Sequence, residues 1–295
     1  MRIRMSMSDR LLSVVVHVVL GFILIIVFFP LMHVVAASLS SPAAVAAGKV
    51  SIWPVEFSFL GYGAVFKYSI IMVGYRNSLV YTALGTLVNV GMCLIAAFPF
   101  ALRDLPFRGA LLRFFTFTMF FSGGMIPSYI LMRDLGLLNT IWAMVIPGAL
   151  GVYNMIIMRT FIQSNIPNEL YEAADMDGCG DFRYLLSIVI PLSKASVAVI
   201  ALFSAVGHWN AYFNAFLYLS DPNMRPLQIV LRDILIMNSF GQNELLQEGE
   251  NIIRLGMDQL MKYSLIIVAS LPVLIMYPFV QKYFVKGVMI GSIKG

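Results

Sequence analysis

The sequence predicts an all-α membrane protein of six transmembrane helices with both termini cytoplasmic, and three observations carry that expectation. Only 12% of the 295 residues are charged and 60% are hydrophobic, with a mean hydropathy of +0.85, whereas a soluble chain devotes about a quarter of its residues to charge. The apolar residues are gathered into blocks of the length, roughly 20 residues, that a helix needs to cross a bilayer core. The basic residues are unevenly shared among the segments that join those blocks.

Six blocks hold no Asp, Glu, Lys or Arg: residues 11–36, 77–102, 114–132, 140–158, 195–220 and 263–281. Backbone in lipid must satisfy its own hydrogen bonds, and the alternation of a membrane barrel is absent, so each block reads as a helix. The first is long and has no small-residue cleavage site close behind it, which favours a retained helix over a removable signal peptide. Breakers stand inside the later blocks: Pro99; Gly123, Gly124 and Pro127; Pro147, Gly148 and Gly151; Gly207; Pro272 and Pro278. Each bends or loosens a helix, or reflects the general abundance of Gly and Pro in membrane spans.

Placement of charge fixes topology more than the net +5 does. With the N-terminus inside, inside segments hold Arg2, Arg4, Arg10, Arg103, Arg108, Arg113, Arg159, Arg183, Lys282, Lys286 and Lys294. Fewer bases fall outside, although two outside segments, 37–76 and 221–262, are the longest in the chain. The chain therefore reads as a single transmembrane domain over 1–295, with 221–262 a long extracytoplasmic loop. Cys93 lies in the second block and Cys179 in an inside loop, so no extracellular disulfide joins them.

The inside segment 164–191 is the most specific part of the sequence. Glu169, Glu172, Asp175, Asp177 and Asp181 crowd a loop whose bases are few. Pro167 can open a helix, Asn168 can cap it, and Gly178 is placed to close it in a left-handed conformation. Leu170, Ala173 and Ala174 fall at i, i+3 and i+4, a narrow apolar stripe with Glu172 beside it. A short, small-faced acidic helix of this kind is suited to dock as a peg in a socket on a soluble partner.

Glu172-Ala173-Ala174, three residues, Gly178, nine residues, then Ile188, Val189, Ile190 and Pro191 resembles the EAA motif of ATP-binding-cassette (ABC) importer permeases, E-A-A-x3-G-x9-I-x-L-P, with Ile190 in place of leucine. The ending from Gln281 to Gly287 and from Gly291 to Gly295 resembles the carbohydrate-importing branch. Residues 121–133 with Gly207, His208, Trp209 and Asn210 resemble permeases for acidic oligosaccharides such as alginate, pectin or aldouronate fragments. The resemblance implies a type I importer permease of the inner membrane. Leu170, Glu172, Ala173, Ala174, Asp175, Asp177, Gly178 and Pro191 would form its ATPase-coupling segment, with Lys286 and Lys294 a C-terminal ATPase contact. It further implies a second homologous permease, two ATPase subunits that carry ATP and Mg, and an extracytoplasmic solute-binding protein. No cofactor is expected on this chain.

The fifth block carries His208, Trp209, Asn210, Tyr212, Asn214 and Tyr218, several of them four apart and so on shared helix faces. Such side chains hydrogen-bond and stack on sugars, which makes His208, Trp209, Asn210, Tyr212 and Asn214, with Tyr153 and Asn154 of the fourth block, the candidate substrate path. They would serve equally as hydrogen-bonding glue between helices. No G-x-x-x-x-G-K-[ST] phosphate cradle occurs, and His17, His33 and His208 have no acidic or cysteine companions at metal or triad spacing. An ion-coupled transporter ordinarily needs ionisable residues inside the membrane, and the six blocks lack carboxylates and Lys/Arg. The same machinery serving an amino acid, a peptide or an anion remains open at this point.

Overall fold

A computed structural model of the chain describes residues 7–237 and 248–292, and all regular structure within them is helical. Contacts gather into two compact units, Met1–Ser69 with Leu231–Ser270, and Ile70–Val230 with Leu271–Gly295.

The first unit contains α1 (Met7–Ser38), α2 (Pro42–Ala46) and α3 (Leu60–Lys67). Most apolar side chains of α1 are exposed along its length, as expected of a helix whose solvent is lipid or another membrane helix. Only its end is buried, where Ala36 and Ala37 meet Ala44, Val45, Val50 and Leu260. Ser41 caps α2, its hydroxyl accepting from the Ala44 N–H at 3.2 Å. A side chain at Gly61 would collide with Ser264 and Leu260, so glycine there permits the close approach of α3.

The second unit is built around α4 (Ser69–Ala101), which begins eight residues before the charge-free block. After it come α5 (Arg108–Phe120), α6 (Met125–Asp134), α7 (Trp142–Val145, prolonged by a 3-10 turn to Gly148) and α8 (Val152–Asn165). Next are α9 (Asn168–Met176) and α10 (Asp181–Tyr184); α10 runs through a π-helical segment, Leu185–Val189, into α11 (Ile190–Leu192). Then follow α12 (Lys194–Trp209) and α13 (Phe213–Tyr218). The last helices, α14 (Leu227–Met237) and α15 (Glu248–Ser292), each divide between the two units, with Leu231–Ser270 in the first, and enclose the segment outside the described residues. The outer segment expected as a loop is thus helical at both of its ends.

Among the described residues three helices, Met7–Ser38, Ser69–Ala101 and Gly256–Phe279, are long and apolar enough to cross a membrane, and the number is up to six if each bent pair forms one span. The first two bends fall at sequence breakers, Gly123 with Gly124, and Pro147 with Gly148 and Gly151. Block 114–132 is not a straight helix: α5 and α6 meet at 109°. Gly124 has φ +87 and ψ 174, a region only glycine populates readily. The α7 and α8 pair bends by 51° behind Pro147, and the Asp181–Leu192 helix meets α12 at 84°.

Two clusters hold this unit together. Cys93, Phe98, Met155, Met158, Ile162, Ala174, Tyr184 and Ile200 belong to one, which therefore reaches α9. Tyr81, Met132, Ala143, Met144, Ala215 and Tyr218 belong to the other.

Candidate functional site

The acidic segment folds as a helix with well-defined ends. Pro167 occupies the N-cap position with φ −60 and ψ 141, its fixed φ suiting a helix entry. Asn168 does not cap: it is the first helical residue, and its side-chain amide donates to Glu172 Oε1 at 2.9 Å. Once Pro167 takes the cap position, Asn168 lies one residue too far on to reach the free N–H groups. At the other end the Cys179 N–H donates to the Ala174 carbonyl and the Gly178 N–H to the Asp175 carbonyl, both at 2.9 Å. With Gly178 at φ +71 this is a Schellman stop. A β-carbon on Gly178 would meet nothing within 4 Å, so the demand for glycine is conformational alone.

The helix is turned differently from the stripe read in the sequence. Ala174 is buried in the core cluster, whereas Ala173 and Leu170 are exposed. The outward face is Glu169, Glu172, Ala173 and Met176, at i, i+3, i+4 and i+7. Met176 is 89% exposed, and beyond the stop Phe182 is 69% exposed. Asp175, Asp177 and Gly178 are also on the surface. Sequence reasoning passed over Met176 and Phe182, which show no signal until the facing of the helix is known.

Tyr171 sets that facing. Its hydroxyl donates to Asp181 Oδ1 at 2.9 Å, and its ring meets Tyr184 edge-on at 5.2 Å between centroids. Tyr184 in turn packs at 6.0 Å against Phe98 of α4. The bond to the Asp181 carboxylate, with burial and the nearby Asp175 and Asp104 charges, pushes the Tyr171 phenol up to about 12. It therefore stays protonated, and a donor, throughout the neutral range. Beside α9 a cavity of about 500 Å³ is lined by Arg103, Arg108, Gln163 and Glu169 among others.

Pro191 lies just past the π segment, in which the Ile190 N–H bonds the Leu185 carbonyl five residues back. A proline removes one donor and its ring crowds the carbonyl four residues earlier. The widened turn immediately ahead of it and the 84° bend at Ser193 are where the helix accommodates this.

The candidate path residues separate. Trp209 is 2% exposed, its ring edge-on to Tyr75 at 5.7 Å. The imidazole of His208 lies against the backbone of Gly85 and Gly148. Asn154 donates to Asn89 Oδ1 at 3.4 Å, and Asn89 donates to the Gly148 carbonyl at 2.7 Å, supplying a partner where the fourth block breaks. Asn210 ends α12, bonding the Val206 carbonyl at 3.0 Å, and the chain leaves the helix before Tyr212. The pairs His208 with Tyr212 and Asn210 with Asn214 thus straddle a break and share no helix face. Tyr212 (47%) and Tyr153 (62%) are exposed. Asn214 is half-buried, and Tyr218 stacks on Tyr129 at 6.4 Å. Lys286 falls on α15 with its side chain outside the described ones, and Lys294 lies outside the described residues.

No protein-family model matches the chain. It is 39% identical over 289 residues, 98% of its length and 100% of the relative's, to the polygalacturonan/rhamnogalacturonan transport system permease protein YtcP of Bacillus subtilis (strain 168). It is 28% identical over 248 residues, 83% of its length and 84% of the relative's, to the melibiose/raffinose/stachyose import permease protein MelC of the same organism. A chain in the crystal structure of a bacterial ABC transporter involved in import of the acidic polysaccharide alginate superposes with a TM-score of 0.86 at 33% identity. That superposition covers 95% of this chain and 99% of the other.

Proposed function

This chain belongs to the permease family of ABC sugar importers, and we propose that within it the chain carries acidic, polyuronate-derived oligosaccharides across the bacterial inner membrane. The observation that carries the cargo assignment is that two of the full-length likenesses above 30% identity are to proteins named for polygalacturonan and for alginate, both chains of uronic acids. A neutral-sugar permease is more distant at 28%.

The permease is not an enzyme; ATP hydrolysis in such importers is carried by partner subunits. In the proposed assembly a second, related permease pairs with this one around a central path, two ATPase subunits holding ATP and Mg sit on the cytoplasmic side, and a solute-binding protein delivers cargo from outside. In this reading the chain has six spans, with the basic segments, both termini and α9 on the cytoplasmic side. The outward face Glu169, Glu172, Ala173 and Met176 enters a cleft of an ATPase subunit. Closure of the ATPases on ATP then displaces α9 and with it the bent helices of the second unit. Helix breaks at Gly124, Ser193 and Asn210 let segments turn without unwinding whole spans.

Cargo contact falls to Tyr153, Asn210, Tyr212 and Asn214, with His208 at the wall. Aromatic rings and amides of this kind suit sugar C–H faces and hydroxyls. The six charge-free blocks offer no Lys or Arg to a uronate carboxylate, so charge recognition belongs to the ends of the spans, the binding protein or the second permease.

The test is uptake by the importer reconstituted with its partners, using oligogalacturonate and alginate fragments against raffinose and arabino-oligosaccharides. Acidic fragments should drive ATP-dependent uptake. Uptake of neutral sugars alone would overturn the cargo assignment, and uptake driven by an ion gradient without ATP would overturn the mechanism.

A further inference from the structure

The covalent link between α9 and α10 is a short turn with two glycines. It consists of Asp177, Gly178, Cys179 and Gly180, and a β-carbon at either glycine would meet nothing within 4 Å. Force that entered the exposed face of α9 and travelled along the backbone would have to pass through this turn. A second connection bypasses it. Among the described residues, the one side-chain hydrogen bond that leaves α9 for another helix is Tyr171 Oη to Asp181 Oδ1 at 2.9 Å. The same ring meets Tyr184, which meets Phe98. Asp181 heads the continuous helix that runs through the π segment to Leu192 and then turns by 84° into α12. A π segment within a helix often marks a functional site.

We propose that Tyr171 is a positioning residue for energy coupling, its hydroxyl tying the docking helix to Asp181 so that displacement of α9 moves the 181–192 helix as one body. The proposal rests on the docking role given to α9 above. Tyr171→Phe keeps the ring, its volume and its contact with Tyr184, and removes only the donor. Asp181→Asn keeps an acceptor oxygen where Asp181→Ala removes it. A path of force needs coupling evidence and not proximity alone, and two residues acting through one bond are non-additive.

The experiment uses the full importer, with partner permease, ATPases and binding protein, in vesicles. It measures cargo transported per ATP hydrolysed, ATPase subunits retained on purification, and the detergent melting temperature. Tyr171→Phe and Asp181→Ala should each lower transport per ATP about fivefold or more with ATPases retained and melting unchanged. Asp181→Asn should restore at least half of the parent ratio, and the Tyr171→Phe/Asp181→Ala double variant should be no worse than either single. A Tyr171→Phe ratio within twofold of the parent would overturn the brace. So would loss that merely follows melting temperature or ATPase release. Glu172→Lys separates the two claims: if it keeps its ATPases, the docking role fails and the brace with it; if it loses them while Tyr171→Phe is normal, the brace alone fails.

Discussion

The imidazole of His208 occupies the space a side chain on Gly85 would need: a β-carbon built on Gly85 would stand 2.5 Å from the ring. The ring also comes within 3.2 Å of a β-carbon built on Gly148. Two glycines on separate helices thus form the slot for one histidine.

Gly85→Ala should consequently be costly. Overfilling a packed site typically costs about 1–3 kcal/mol, and the ring has Gly148 on its other side. Detergent melting of the purified complex should fall for Gly85→Ala. It should recover when His208→Ala is added, a coupling on the order of 1 kcal/mol or more between touching residues. Equal melting of Gly85→Ala and the parent would mean that the histidine leaves the slot freely.

At the end of α9, Gly178 faces open space, so replacements should rank by tolerance of positive φ and not by size. Asn should be best tolerated and Ala should cost about 1–2 kcal/mol. Val should be worse than Ala because branching at the β-carbon further disfavours that region. A melting series over the three variants checks this, and a ranking by volume would contradict it.

Met176 exposes an apolar side chain beside Glu172. Met176→Asp should leave melting nearly unmoved, since the side chain is almost fully exposed. If the outward face is the docking face, the change should weaken ATPase association by tenfold or more, about 1.4 kcal/mol. Titrating ATPase subunits onto the permease pair measures it. Unchanged affinity for Glu172→Lys would move the docking surface elsewhere, and unchanged affinity for Met176→Asp alone would take Met176 out of it.

What sequence could and could not tell is clearest at α9 and at the fifth block. Pro167 and Gly178 act locally, through a fixed φ and a permitted positive φ, so the bounds of α9 were legible. Its facing was not, because periodicity ranked Leu170, Ala173 and Ala174 as one stripe, while Tyr171, bonded to a residue ten positions away, turned Ala174 inward and Ala173 outward. The 109° bend after α5 was foreshadowed by Gly123, Gly124 and Pro127. The exit at Asn210 had only Gly207, three residues before it, as punctuation. In the fifth block, i to i+4 counting assumed a helix through residues 208–218, which the exit interrupts.

The last prediction sorts the polar and aromatic residues of that block into path and packing. Trp209 is buried against Tyr75 within this chain, whereas Tyr153 and Tyr212 are exposed on it. Truncating a buried tryptophan costs about 3–5 kcal/mol, and a substitution on an exposed face usually stays within about 0.5 kcal/mol. Trp209→Ala should therefore lower melting and assembly first, with uptake falling in step. Tyr153→Ala and Tyr212→Ala should keep melting and assembly while oligosaccharide uptake drops severalfold, because cargo would lose a stacking surface that the chain does not need for folding. Melting and vesicle uptake measured side by side decide it. Stable Tyr variants with full uptake would remove both tyrosines from the path, and a stable Trp209→Ala with lost uptake would return Trp209 to it.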